Sequence, residues 1–115
     1  MNWIELNSLQ QLSEIKRLSH SRPQVIFKHS TRCSLSFVTK NQLEKDLQPE
    51  STDFYFLDLI RFRPVSDQIA KDFAVYHESP QILLIKDAEC IYEESHYGIT
   101  MPGITEQVHL ARLPI

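Results

Sequence analysis

A chain of 115 residues, 42% hydrophobic and 23% charged, has room for one hydrophobic core and not two. Its formal charge of −3 and the lack of any longer Lys/Arg run than Lys16-Arg17 exclude the basic footprint that nucleic-acid binding needs. No stretch approaches the roughly 20 apolar residues of a membrane span, and the only glycines, Gly98 and Gly103, leave no Gly-rich phosphate loop. The opening Met1-Asn2-Trp3-Ile4-Glu5 lacks the basic and apolar regions of a secretory leader, so the expected location is the cytoplasm. A reducing compartment argues against a structural disulfide between the two cysteines, Cys33 and Cys90.

In chain order, residues 3–6 read as a weak first strand. Asn7 is a candidate N-cap with Gln10 three residues on, as in a capping box, and Leu9, Leu12, Ile15 and Leu18 form the apolar stripe of a helix. The segment His20-Ser21-Arg22-Pro23 breaks that helix, and residues 24–28 read as a buried strand. A polar stretch, 29–32, leads into Cys33. Residues 34 to about 47 suit a helix, with Leu35, Val38 and the Leu43/Leu47 pair available for packing and Pro49 as the stop. Residues 53–59 form a third strand, apolar on both faces. Residues 61–64 are a connection, and Ser66 is a candidate N-cap for a helix whose Ile69, Ala70 and Phe73 share a face. Residues 81–86, a turn at 87–89 and a return arm at 90–94 make a hairpin. Gly98 and Pro102-Gly103 punctuate the exit, and 104–110 predicts a short last helix. The order β-α-β-α-β-α-β-β-α, without linker or repeat, predicts a single α/β domain over 1–115, with parallel crossovers and a terminal hairpin.

Cys33 stands where a strand ends and a helix begins, so unpaired helix N–H groups and the positive end of the helix dipole favour thiolate over thiol there. Arg32 adds a positive charge next door. A lone cysteine is most often a buried filler, but the polar flank Ser30-Thr31-Arg32 and Ser34 argues against burial of Cys33. Cys90, beside Ile91 in a hairpin arm, reads as a packing residue. In Cys33-Ser34-Leu35-Ser36 the residue one helical turn on is a serine. Its hydroxyl can donate a hydrogen bond to a thiolate but cannot form a disulfide, so the site captures a thiol adduct with no neighbouring cysteine to expel it. His29, His77 and His96 match no zinc spacing, and no metal site is expected. A Cys–His hydrolytic pair lacks a recognisable oxyanion element.

Cys33, Pro80 and the element order together resemble the thioredoxin fold, a central mixed sheet of four to five strands flanked by helices, in which a cis-proline faces the active cysteine. Ser79-Pro80 stands at that position, and the resemblance implies a cis bond there. Four segments are similar to the monothiol, bacillithiol-associated bacilliredoxin family: residues 27–36 around Cys33, Leu57-Asp58-Leu59 with Arg63-Pro64-Val65-Ser66, His77-Glu78-Ser79-Pro80-Gln81, and residues 95–100 after the hairpin. The resemblance implies that Cys33 removes a low-molecular-weight thiol, bacillithiol or an equivalent, from protein mixed disulfides. Ser36, Arg32 and Ser34 would support the thiolate, and Thr31, Ser79 and Pro80 would bind substrate, the backbone of Ser79 pairing with an extended segment. The implied partners are S-thiolated proteins and a thiol-disulfide reductase, with no nucleic acid, no membrane and no bound cofactor. The small thiol would be a co-substrate. The rival reading is a binding or regulatory module whose Cys33 is thiolated as a signal. Dithiol thioredoxins differ in having Trp before the cysteine, a second cysteine three residues later, and a buried acid six residues earlier; this chain has Arg32, Ser36 and Phe27.

Overall fold

The run Gln24–His29 is buried at every position, which a strand achieves only when both faces of its sheet are covered. In the computed structural model, which describes residues 1–114, it is β2, the middle of a five-stranded sheet. The other elements are β1 (Trp3–Glu5), α1 (Leu9–Leu18), α2 (Ser34–Lys45), β3 (Asp53–Asp58), α3 (Arg63–Asp72), β4 (Gln81–Lys86), β5 (Glu89–Ser95), a 3-10 turn (His96–Gly98) and α4 (Met101–Ala111). The strand order is β1-β3-β2-β4-β5. β1, β3 and β2 are parallel, β4 is antiparallel to β2, and β5 is antiparallel to β4 and so runs in the same sense as the first three. This is the mixed sheet and the element order that the sequence predicts.

Period-two alternation sorts the strands into two cores. Ile26, Tyr55, Leu57, Leu83 and Ile85 meet Leu12 and Ile15 of α1 and Val65, Ile69 and Phe73 at α3. On the other face Val25, Phe27, Phe54, Ile82 and Leu84 meet Leu43 of α2 and Met101, Ile104 and Val108 of α4. The molecule is therefore a sheet between two helical layers, and helix pairs on both faces hold the strand ends in place.

Several sequence expectations shift. The N-cap of α1 is Ser8, not Asn7: Ser8 Oγ accepts the Gln11 N–H, and Gln11 Oε1 accepts the Ser8 N–H, completing the box one residue later. Leu9 is exposed, so the stripe of α1 rests on Leu12 and Ile15. In α2 the inward row is Ser36, Thr39 and Leu43, while Val38 and Leu47 are exposed. Ser66 caps nothing. α3 starts at Arg63 after Phe62, with Pro64 in its first turn, where a missing N–H costs nothing, and Ser66 is buried inside the helix. Pro102 and Gly103 likewise belong to the first turn of α4, whose cap is Thr100, its Oγ1 accepting the Gly103 N–H at 3.1 Å. No helix of the described residues is long and apolar enough to cross a membrane.

Candidate functional site

The crevice outside the carboxyl ends of parallel strands is where open α/β sheets place their chemistry. β2 and β3 finish side by side, His29 in register with Asp58. β4 runs the other way and pairs Gln81 with Lys28, so its entry, Ser79–Pro80, arrives at the same end. That peptide bond is cis. The 3-10 turn closes over it, the His96 N–H donating to the Pro80 carbonyl at 3.0 Å. The chain leaving β2 reaches Cys33 within one tight turn, so the thiol and the cis-proline share one edge of the molecule.

The turn is built by Ser30. Its carbonyl accepts the Cys33 N–H at 3.2 Å and its Oγ accepts the Arg32 N–H at 3.2 Å, a role suited to serine at the first position of a β-turn. Cys33 then takes the N-cap position of α2 with extended backbone, φ −123° and ψ 112°, and its carbonyl accepts the Ser36 N–H at 3.1 Å. Among the described residues no side chain caps α2. Cys33 is a free, half-buried thiol, and Thr31, Arg32 and Ser34 around it are exposed. Ser79 is half-buried at the cis bond. Its Oγ is shielded from solvent and has no hydrogen-bond partner among the described residues.

Ser36 behaves differently from the sequence expectation, which aimed its hydroxyl at the Cys33 sulfur. It is fully buried. Its Oγ lies 2.7 Å from His29 Nδ1 and accepts the Ser30 N–H at 3.1 Å, and among the described residues no bond runs from it to Cys33. His29 is itself buried, edge-on to Phe37 at 4.5 Å between ring centres and 5.2 Å from Phe56. Burial pushes the His29 ring below the ordinary histidine range, against the pull of the Asp58 carboxylate, so the imidazole is neutral at pH 7. On the opposite face Lys28 has no exposed surface. Its Nζ lies 3.2 Å from His77 Nδ1, and Ser66 Oγ approaches the same nitrogen at 3.4 Å. Burial pushes the Lys28 ammonium down to about 8, with Asp67 opposing. The His77 ring is lowered by its own burial and then by the Lys28 charge.

The sequence reading passed over Lys28 and weighed His29 only as a metal ligand. The signal was available: alternation along β2 sends Lys28 inward with Ile26 and His29 inward with Phe27, and buried polar groups must find partners. Phe27, at the position where dithiol thioredoxins bury an acid, is fully buried and stacks on Trp3 at 5.7 Å between ring centres. The three histidines do not converge. His29 meets Ser36, His77 meets Lys28, and His96 Nε2 pairs with Glu78 Oε2 at 3.1 Å. Among the described residues no three His, Cys, Asp or Glu side chains gather as a metal site. Cys90 lies at the far end of the hairpin opposite Ile85, packed on the α1/α3 core, and burial pushes its thiol up to about 11. From the Gln81 end of β4 to Ile85 is about 13 Å at ~3.3 Å per residue, so Cys90 stands far outside disulfide reach of Cys33.

Fold and site together define a class, a thioredoxin-fold protein with a single thiol in a Cys-x-x-Ser motif. Within that class, residues 4–104 match the model of the monothiol bacilliredoxin BrxC family, and the chain belongs to that family. A solved structure described as a candidate oxidoreductase with a thioredoxin fold is 29% identical, with a TM-score of 0.78 over 90% of each chain. Thioredoxin from Malassezia sympodialis is 12% identical with a TM-score of 0.74 over 96% of this chain and 90% of that one. Thioredoxin from Fasciola hepatica is 14% identical with a TM-score of 0.72 over 94% and 98%. The two thioredoxins share the fold and nothing finer.

Proposed function

We propose that the protein removes a low-molecular-weight thiol, bacillithiol or an equivalent, from protein mixed disulfides by monothiol exchange at Cys33. The observation that carries this reading is the placement of Cys33 at the uncapped start of α2, on the same sheet edge as cis-Pro80, with a serine where a resolving cysteine would stand. Family membership supports it.

In the first step the Cys33 thiolate attacks the small-thiol sulfur of the mixed disulfide. A Cys33–small-thiol disulfide forms, the protein–sulfur bond breaks, and the released protein thiolate takes a proton from water. In the second step the thiolate of a free small thiol attacks that adduct, regenerating Cys33 and releasing the small-thiol disulfide for a separate reductase. Over the two steps one small thiol is oxidised for each protein thiol restored, so the exchange balances with no further reductant. Neither Ser36, which cannot form a disulfide, nor the distant Cys90 shortcuts this sequence. Thr31, Arg32 and Ser34 flank the incoming sulfur, and the Ser79 backbone beside cis-Pro80 is offered to an extended substrate segment.

The test is a turnover assay with a bacillithiolated protein, this chain and free bacillithiol. Several substrate molecules are released per molecule of wild type, and Cys33→Ser abolishes the catalysed part. Release no faster than with bacillithiol alone overturns the proposal and leaves Cys33 as a thiolated regulatory mark.

A further inference from the structure

We propose that His77 is a proton-sensitive latch: its neutral ring pins the loop that carries Ser79 and Pro80 onto the buried Lys28, and a proton on Nδ1 releases the pin. Such a latch acts on the loop itself and does not rest on the de-thiolation reading.

Residues 74–80 join α3 to β4 with no helix or strand among them. Two sets of side-chain contacts hold this segment. The fully buried Gln81 accepts the Glu78 N–H at 3.4 Å through Oε1, and its Nε2 donates to the Tyr76 carbonyl at 3.0 Å and to Glu93 Oε2 of β5 at 3.1 Å. Between those two points His77 turns Nδ1 onto Lys28 Nζ at 3.2 Å, and Ser66 Oγ of α3 stands 3.4 Å from the same nitrogen. Lys28 has no exposed surface, and among the described residues His77 is its hydrogen-bond partner. His77 as a residue is exposed, so protons reach its ring from water although Nδ1 faces inward.

An ammonium has three hydrogens to give and no lone pair, so Nδ1 meets Lys28 only as a bare acceptor. The neutral ring then carries its hydrogen on Nε2, and Nδ1 is the one nitrogen left to protonate. The added proton therefore lands on the atom that faces Lys28, setting donor against donor and charge against charge at 3.2 Å. The Ser66 hydroxyl can accept the new N–H, but Lys28 is left inside without an acceptor, and opening of the loop relieves that cost. Loss of a proton from Lys28, at about 8, has no such effect, because a neutral amine still donates to a bare Nδ1.

The charges around the ring are of both signs. Burial of the ring edge acts first against a cationic His77, followed by Lys28 of β2 and Arg63 of α3, while Asp67 of α3 and Glu78 of the loop favour it. Glu78 is also engaged by His96 Nε2 of the 3-10 turn at 3.1 Å. The sum holds the ring below the ordinary histidine range. In an open loop the ring regains its usual value of about 6.5. The closed loop thus binds fewer protons than the open one below that pH, and opening becomes easier as pH falls.

Nuclear magnetic resonance of the whole chain tests the latch without a disulfide substrate, so its outcome is separate from that of the turnover assay. In wild type, 15N shifts show the His77 ring as the Nε2–H form at pH 7 and titrating below the ordinary histidine value. Hydrogen exchange of the Glu78 amide, normalised for the intrinsic pH dependence of exchange, shows protection at pH 7. That protection falls below pH 6.5 by up to about tenfold per pH unit, while amides of β2 and β4 keep theirs. His77→Asn places an untitratable acceptor near the Nδ1 position; it keeps the protection of wild type at pH 7 and holds it to pH 5. His77→Leu has the low protection already at pH 7. An ordinary ring titration, an Nδ1–H ring at pH 7, or a Glu78 amide without protection or without pH dependence overturns the proposal. A decline in His77→Asn equal to that of wild type overturns it too, and assigns the titration to the Glu78–His96 pair.

Discussion

Lys28 carries an ammonium into a position with no exposed surface, against a neutral imidazole rather than a carboxylate. Its pKa in the folded protein, about 8, lies below the ordinary lysine value of 10.5. The folded state therefore binds fewer protons than the unfolded state between those two values, and this side chain's contribution to stability rises as pH climbs through that window. Below pH 8 the buried charge costs about 3 kcal/mol, from roughly 1.4 kcal/mol per pKa unit. Lys28→Met, which keeps the length and removes the charge, is expected to gain on wild type by about 3 kcal/mol more at pH 7 than at pH 10.5. Urea unfolding of both proteins at the two pH values measures the difference. Taking the variant relative to wild type cancels the Tyr55 and Cys90 shifts, which run upward and act in the opposite sense at high pH. That a charged residue sits inside was legible from alternation in β2. Its partner was not, because His77 lies far along the chain and only the β2–β4 pairing brings the loop of His77 over the end of β2.

At the scale of single elements the register of α1 shows how a local pattern can be right in kind and wrong in place. Asn7 with Gln10 and Ser8 with Gln11 are equivalent capping pairs by sequence. The choice is made by β1: the Leu6 N–H bonds the Phe56 carbonyl at 2.9 Å, and Gln11 Nε2 reaches back to the Glu5 carbonyl at 2.8 Å, which seats Ser8 at the cap. Ser8→Ala is expected to cost about 1 kcal/mol in urea unfolding, while Asn7→Ala stays within about 0.5 kcal/mol. The start of α3 follows the same logic. Asp58 Oδ1 accepts the Ile60 and Arg61 N–H groups, turning the chain immediately after β3, so the helix begins ahead of Ser66. In α2 the phase is set by the turn that anchors Cys33. That phase sends Ser36, Thr39 and Leu43 inward and leaves Val38 and Leu47 outside, although hydrophobicity alone ranks them the other way.

Across the whole molecule the decisive distance is the length of β4, which separates the two thiols. Cys33 belongs to the end where β4 begins and Cys90 to the end where the hairpin turns. Oxidation with diamide is therefore expected to give a mixed disulfide or a Cys33-linked dimer, and no internal disulfide. Intact-mass spectrometry of the monomer checks this, since an internal bridge leaves a monomer lighter by two hydrogens. The same separation means that the turnover proposed for Cys33 would have to recruit a thiol from outside. The closure of both sheet faces, with cores of Leu12, Ile69 and Leu83 on one side and Phe27, Leu43 and Ile104 on the other, holds the edge that carries Cys33 on a packed frame.

By itself the sequence determined the order of elements, the α/β class, the position of Cys33 at a helix start and the lack of a cysteine at position 36. These are local facts, carried by periodicity, turn residues and the identity of a neighbour one helical turn away. Tertiary structure decided which face each helix presents, that Lys28 meets His77, and that the Ser36 hydroxyl goes to His29 rather than to the thiol. Each of these depends on strands that are distant in sequence lying side by side, and on buried polar groups taking the partners that such pairing supplies.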